Sequence, residues 1–176
     1  MPLARYAFVL AALVAATAPA VGQERPLVTR DRVQLNLAGA ETVLEAAQKK
    51  AAALGVKGNI AIVDDGGHLL AFARMDGARP ASATTALTKA VSAATYRQET
   101  GTLPVKGEPD ILLSLSIQNA AAASGGKITT LRGGVPIVVS GQVVGAIGVG
   151  GGTGEQDAEI AKAGIQALLD ILGDKK

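Results

Sequence analysis

Gln142-Val143-Val144-Gly145-Ala146-Ile147-Gly148-Val149-Gly150-Gly151-Gly152-Thr153-Gly154-Glu155-Gln156-Asp157 is the stretch whose reading decides the fold. From Val143 to Val149 every position is apolar or glycine, on both faces of the strand it forms. Such a strand is covered on both sides, by helices or by another subunit, because neither face gains from meeting water. Val135 to Val139 precedes it as the first arm of a hairpin that turns at Ser140-Gly141. After the glycines a helix begins. Thr153 with Gln156 three residues on is a capping box, in which each side chain satisfies a free backbone N–H of the other. Ala158, Ala161, Ile165, Leu168 and Leu172 then form one helical stripe that ends at Gly173.

Working back toward the N-terminus, Val33, Leu37, Ala40, Leu44, Ala47, Ala51 and Leu54 recur at spacings of four and three, and Gly55 stops that helix. Asn59 to Val63 is a short β run. Asp64-Asp65-Gly66-Gly67 is a tight turn, since Asp-Gly and Gly-Gly tolerate positive φ. His68 to Met75 returns as a strand, and alternation puts His68 on one face with Leu70, Phe72 and Arg74. A second helix is expected from Pro80 to Gln98, with proline in its first turn. The loop Thr100 to Pro109 leads to a third helix through Ile111, Leu115, Gln118 and Ala122, closed by Gly125-Gly126. One more strand is expected near Ile128 to Leu131. The order α–ββ–αα–ββ–α predicts an α+β fold, an antiparallel sheet of about five strands flanked by helices, in a single domain over residues 23–176.

Composition removes several functions. Of 176 residues 48% are apolar, and the formal charge is only +2 with interspersed signs. Disorder and charge-driven DNA binding are both disfavoured. Four aromatics, Tyr6, Phe8, Phe72 and Tyr96, are too few for a base-stacking platform. No cysteine is present, so disulfides, thiolate nucleophiles and cysteine-ligated zinc are excluded. The first 22 residues read as a removable signal peptide. Arg5 precedes an apolar run from Tyr6 to Ala16, and small residues follow at two cleavage points, after Ala20 and after Gly22. The expected location is periplasmic or secreted. The run is shorter than the ~20 residues a membrane span needs, so no stable anchor remains after cleavage.

The chemistry-bearing residues are few. His68 is the one histidine, placed beside a turn, and a lone imidazole suits an axial haem ligand or an ordinary exposed polar group. No strained Gly-x-Ser-x-Gly elbow accompanies it, which argues against a serine triad. Gly148 to Gly154 runs from strand to helix and reads either as an anion cradle or as a close-packed connection. It matches neither a dinucleotide fingerprint nor a phosphate loop. Arg74, Arg79, Lys89 and Arg97 cluster around the first hairpin and second helix. Lys89 and Arg97, eight apart, fall nearly in line and suit carboxylates, or else a solvated face. Glu155, Asp157 and Glu159 are three close carboxylates that suit a hard cation or a polar helix face.

Several strings occur together: Ile62-Val63-Asp64-Asp65-Gly66-Gly67-His68-Leu69, Ala73-Arg74-Met75-Asp76-Gly77-Ala78, Lys89-Ala90, Gly133-Gly134-Val135-Pro136-Ile137, and Val144 to Gly151 running on to Glu155-Gln156-Asp157. In order and spacing the chain resembles the GlcG/HbpS family of haem-binding and haem-degrading-type domains, to which the C-terminal domain of PduO-type corrinoid adenosyltransferases is related. The resemblance covers roughly Arg32 to Leu172. It implies a profilin-like antiparallel sheet, and dimers that build larger homo-oligomers. Carried over residue by residue, His68, Arg74, Met75, Asp76, Lys89, Gly133, Gly134 and Pro136 occupy positions of the family pattern. Gly150 departs from it, standing where the family usually has serine.

The expected site is an apolar pocket built from the first hairpin and second helix. His68 or Met75 lies near the metal, and Arg74, Lys89 or Arg97 faces the propionates. The chain is then an exported oligomeric binding protein for haem or a related tetrapyrrole, in sequestration or redox sensing. A corrinoid is the remoter cofactor, and nucleic acid is not a partner. The alternative is an enzyme acting on a small anionic metabolite, with Lys89 and Asp76 in the site. A third reading is a structural subunit whose glycine-rich sheet serves only to oligomerise.

Overall fold

The computed structural model of the protein describes residues 28–104, 106–123 and 125–173, and the expected signal peptide at residues 1–22 lies outside them. The chain divides into two units, Met1–Asp31 and Arg32–Lys176, and the second holds every element below. In order these are α1 (Leu37–Ala53), β1 (Asn59–Asp64), β2 (Leu69–Arg74), α2 (Ala81–Tyr96), α3 (Ile111–Ala123), β3 (Gly134–Val139), β4 (Gln142–Gly150) and α4 (Gly154–Leu172). The α+β reading holds. The sheet has four antiparallel strands in the order β2-β1-β4-β3, not five. Residues 128–131 form no strand. Thr129 N–H instead donates to Ser92 Oγ on α2, and Leu131 gives its carbonyl to the Thr100 hydroxyl, so this segment's backbone is satisfied by side chains.

The two sheet faces are built differently. Ile60, Ile62, Val135, Ile137, Ile147 and Val149 point to α1 and α4 and form a branched-aliphatic core with Val43, Ile160, Ile165 and Leu168. Ala61, Val63 and Ala146 point to α2, which meets them with Ala86, Ala90, Ala93 and Ala94. The alanines let α2 sit close, and Gly148 sets the distance. A Cβ there would collide with the Ala86 carbonyl and the Ala90 amide. Thus β4 is covered on both faces within one chain, and the glycines serve helix packing. Gly150 belongs to the same contact, since a Cβ at that position would come 2.9 Å from the Ser82 carbonyl oxygen.

Local signals placed most boundaries. Asn36, not Val33, starts α1, its side chain accepting from Gly39 N–H at 2.9 Å. Both bonds of the Thr153–Gln156 capping box form. In the first hairpin a bulge changes the expected alternation. Ile62 pairs with Ala71 but Val63 pairs with Leu69, which leaves Leu70 as the extra residue. Leu70 therefore joins Ala71 against the α1/α4 core, while Leu69, Phe72 and Arg74 share the α2 side of this edge strand. α3 is the other departure. Its expected apolar stripe is exposed, with Ile111 at 67%, and its buried positions are Ser114 and Ala121. Among the described residues no helix is long and apolar enough to cross a membrane.

Candidate functional site

β1 runs between two charged ends of the molecule, about 17 Å apart at 3.3 Å per residue. At one end Asn59 pairs with Gly150, and there Lys89 is found. At the other Asp64 pairs with Gly145, and there His68 is found.

Lys89 lies on the buried side of α2, but its ammonium reaches past the start of β3 into the α4 layer. It donates to Asp157 Oδ2 and to the Val149 carbonyl, each at 2.7 Å. The other Asp157 oxygen accepts from Gly152 N–H at 2.9 Å. With 5% and 3% of the two side chains exposed, this is a buried, hydrogen-bonded ion pair. Gly133 and Gly134 make its passage possible. A Cβ on Gly133 would lie 2.6 Å from Asp157 Cβ and 3.0 Å from Lys89 Nζ, and one on Gly134 would strike the Lys89 carbonyl. Pro136 follows in β3, half-buried opposite Ala146. Lys89, Gly133 and Gly134 are thus brought together, as a structural clasp. Lys89 and Asp157 both line the cavity at this end, but the Lys89 ammonium is already engaged by Asp157 and Val149. It pairs with Asp157 and not with Asp76, which lines a different groove with Arg74, Met75 and Lys57.

His68 stands at the tip of the first hairpin with 82% of its side chain exposed. Asp64 organises the turn. Its Oδ1 accepts from Gly66 N–H at 2.9 Å and His68 N–H at 2.8 Å, and its two oxygens lie 3.2 and 3.1 Å from His68 Nδ1. Partial burial pushes the Asp64 carboxyl up. The backbone and ring hydrogen bonds from His68, the Gly66 N–H and the histidine charge outweigh it, and the group sits below the usual aspartate value. Because a carboxylate only accepts, Nδ1 carries the proton in this contact, so in the neutral imidazole Nε2 is the nitrogen with the lone pair. Beside the ring lie Asp65 and Arg32, which form an ion pair.

The structure does not bring His68 and Lys89 to one pocket within a chain. Met75 is at the far end of β2 from His68, half-buried against the α1/α4 core. Arg97 is not in line with Lys89 on a helix face. It follows the end of α2 in a left-handed conformation, φ 56°, at the end where Val91 and Thr95 approach Gly67. Arg74 is exposed at the Asn59 end of β2. The three carboxylates of α4 also part company, Asp157 to Lys89, Glu159 to Lys50 and Glu155 toward Arg132. Among the described residues no acidic or histidine group could hold a metal by clustering. Sequence reasoning missed Asp157 as the partner of Lys89. Its signal was present, a carboxylate at the fourth helical position of α4, just after a glycine run.

This architecture is that of a small α+β domain of the HbpS type. A double mutant of HbpS from Streptomyces reticuli matches it with a TM-score of 0.66 and 29% identity, covering 91% of this chain and 99% of that one. A structure described as a PduOC:heme complex matches with a TM-score of 0.64 and 28% identity, covering 77% and 95%. The Escherichia coli K12 protein GlcG is 40% identical over 120 residues, 68% of this chain and 84% of GlcG. The chain belongs to the HbpS-like family, described as haem degrading protein HbpS-like, whose pattern spans residues 35–166.

Proposed function

We propose that this protein binds haem with His68 as the iron ligand, as an exported homo-oligomer engaged in haem sequestration or redox sensing. The observation that carries the reading is the His68 ring, held at Nδ1 by Asp64 and exposed at Nε2. A carboxylate on the far nitrogen fixes the tautomer and raises the basicity of the nitrogen left for a metal. The surroundings fit part of a haem site. Leu69 and Phe72 are exposed on the same side of β2, the strand that follows the histidine, and Arg74 at the far end of that strand makes no ion pair among the described residues. Arg97 is a second cation near the histidine end, suited to a propionate carboxylate. That side of β2 is open, so a second subunit is the natural cover for the other side of the ring. Membership of the HbpS-like family and the likeness to a haem complex support the ligand class. The leader-like pattern of residues 1–22 supports export, to the periplasm or the medium.

When bound, haem would supply the iron; the chain's own part is to present Nε2 and to shield the ring edge. Titration of haemin into protein beginning at Gln23 tests this directly. A saturable Soret transition at one haem per subunit or per dimer is expected, and His68→Ala should shift or abolish it. A featureless, non-saturating titration would overturn the proposal. An unchanged Soret band in His68→Ala would remove His68 as ligand.

A further inference from the structure

At the Lys89 end, a cavity of about 260 Å³ opens between the start of α2 and the Gly150-Gly151-Gly152 run. We infer that it is a binding site for the carboxylate of a small organic acid, held by Arg79 and Ser82. It lies at the opposite end of the sheet from His68 and does not depend on the haem reading.

Three independent features converge there. Ser82 lines the cavity and is only 7% exposed, yet among the described residues its hydroxyl has no hydrogen-bond partner. The hydroxyl is open to the cavity, free to pair with a ligand oxygen. Arg79 also lines the cavity, and its guanidinium makes no ion pair or hydrogen bond among the described residues. Its backbone is nevertheless anchored, because fully buried Asn59 donates from Nδ2 to the Arg79 carbonyl at 3.0 Å. The helix that starts beside it is uncapped. Pro80 at the cap position offers no side-chain bond, and the first turn of α2 has no acidic residue. No side chain compensates the positive end of that helix, although Ser82 and Ala83 N–H donate to the Arg79 and Pro80 carbonyls. α4 contrasts with it, since its capping box is closed and Glu155 and Asp157 occupy its first turn.

The charge balance selects the ligand. Lys89, Asp157 and Arg132 also line the cavity; Asp157 neutralises Lys89 and Glu155 lies 3.6 Å from Arg132, which leaves the exposed Arg79 as its unpaired charge. One guanidinium fork matches one planar carboxylate in two parallel bonds. A phosphate dianion would be left with excess negative charge.

The test is a titration of the isotope-labelled protein with sodium propionate at constant ionic strength, with sodium chloride and inorganic phosphate as parallel probes. Saturating shifts are expected at the amides of Ser82, Ala83 and Gly150 to Gly152. Arg79→Gln should weaken the binding about tenfold and Ser82→Ala about threefold. Lys49→Gln, which removes a surface charge on α1, should leave it unchanged. Absence of saturation, an equal response to chloride, or undiminished affinity in Arg79→Gln would overturn the site. Tighter saturation by phosphate than by propionate would overturn the carboxylate assignment.

Discussion

Lys89–Asp157 and His68–Asp64 are the same formal contact, a nitrogen base against an aspartate, at opposite ends of β1. Their surroundings make them opposites. The first is almost wholly buried, and two backbone groups, the Val149 carbonyl and the Gly152 N–H, close around it. The second leaves 82% of the imidazole in solvent and one ring nitrogen uncommitted. Burial therefore separates a clasp from a candidate ligand. A base with every partner inside the chain has nothing to offer a ligand, whereas one held by a single nitrogen can still coordinate.

The comparison is most severely broken from the buried side. Lys89→Met strands the Asp157 carboxylate and should cost about 3 to 5 kcal/mol in denaturant unfolding. Adding Asp157→Leu should restore much of that, because both charges then leave together. Gly133→Ala follows. Its Cβ would meet both members of the pair, and φ is 120°, so a loss of about 2 to 4 kcal/mol is expected. Thr153→Ala removes the cap that starts the helix carrying Asp157, for about 1 kcal/mol, readable as a lower thermal midpoint. The exposed side should respond least in stability. Asp64→Asn should cost under about 1 kcal/mol. Because the folded Asp64 carboxyl is held below its ordinary value, its contribution is present above the usual aspartate range and fades as pH falls through the lowered one. The wild-type and Asp64→Asn midpoints should then converge in acid; a constant gap down to low pH would show that the carboxylate does not stabilise the turn.

Legibility followed the range of the forces involved. The Asp64-to-Gly67 turn, the capping box and the covered strand β4 depend on neighbours a few residues away or on a face pattern, and those were visible as residue types. The α4 stripe was visible for the same reason, and Ala158, Ala161, Ile165 and Leu168 are all buried. The bulge at Leu70 was not. Alternation alone carries no mark of an extra residue, and the bulge moved Leu70 from the expected face while Phe72 and Arg74 stayed together. The expected strand near Ile128 to Leu131 failed because the backbone of Thr129 and Leu131 is held by the Ser92 and Thr100 hydroxyls from far along the chain. The α3 stripe failed in a different way. Ile111, Leu115, Gln118 and Ala122 have helical spacing, but among the described residues no second layer covers them.

The candidate site divided along the same line. His68 with Asp64 spans four residues, so its chemistry was readable from the turn itself. Lys89 with Asp157 spans 68, and only the folded sheet lets a lysine on one helical layer pass two glycines to an aspartate on the other. The sequence by itself determined the family, the α+β class, the turn that presents His68 and the cap that starts α4. Tertiary structure alone decided which charges were buried, and so which of them remain open to a ligand. The physical reason is that local bonds are set by residues already adjacent, whereas desolvation depends on what the rest of the chain places on top.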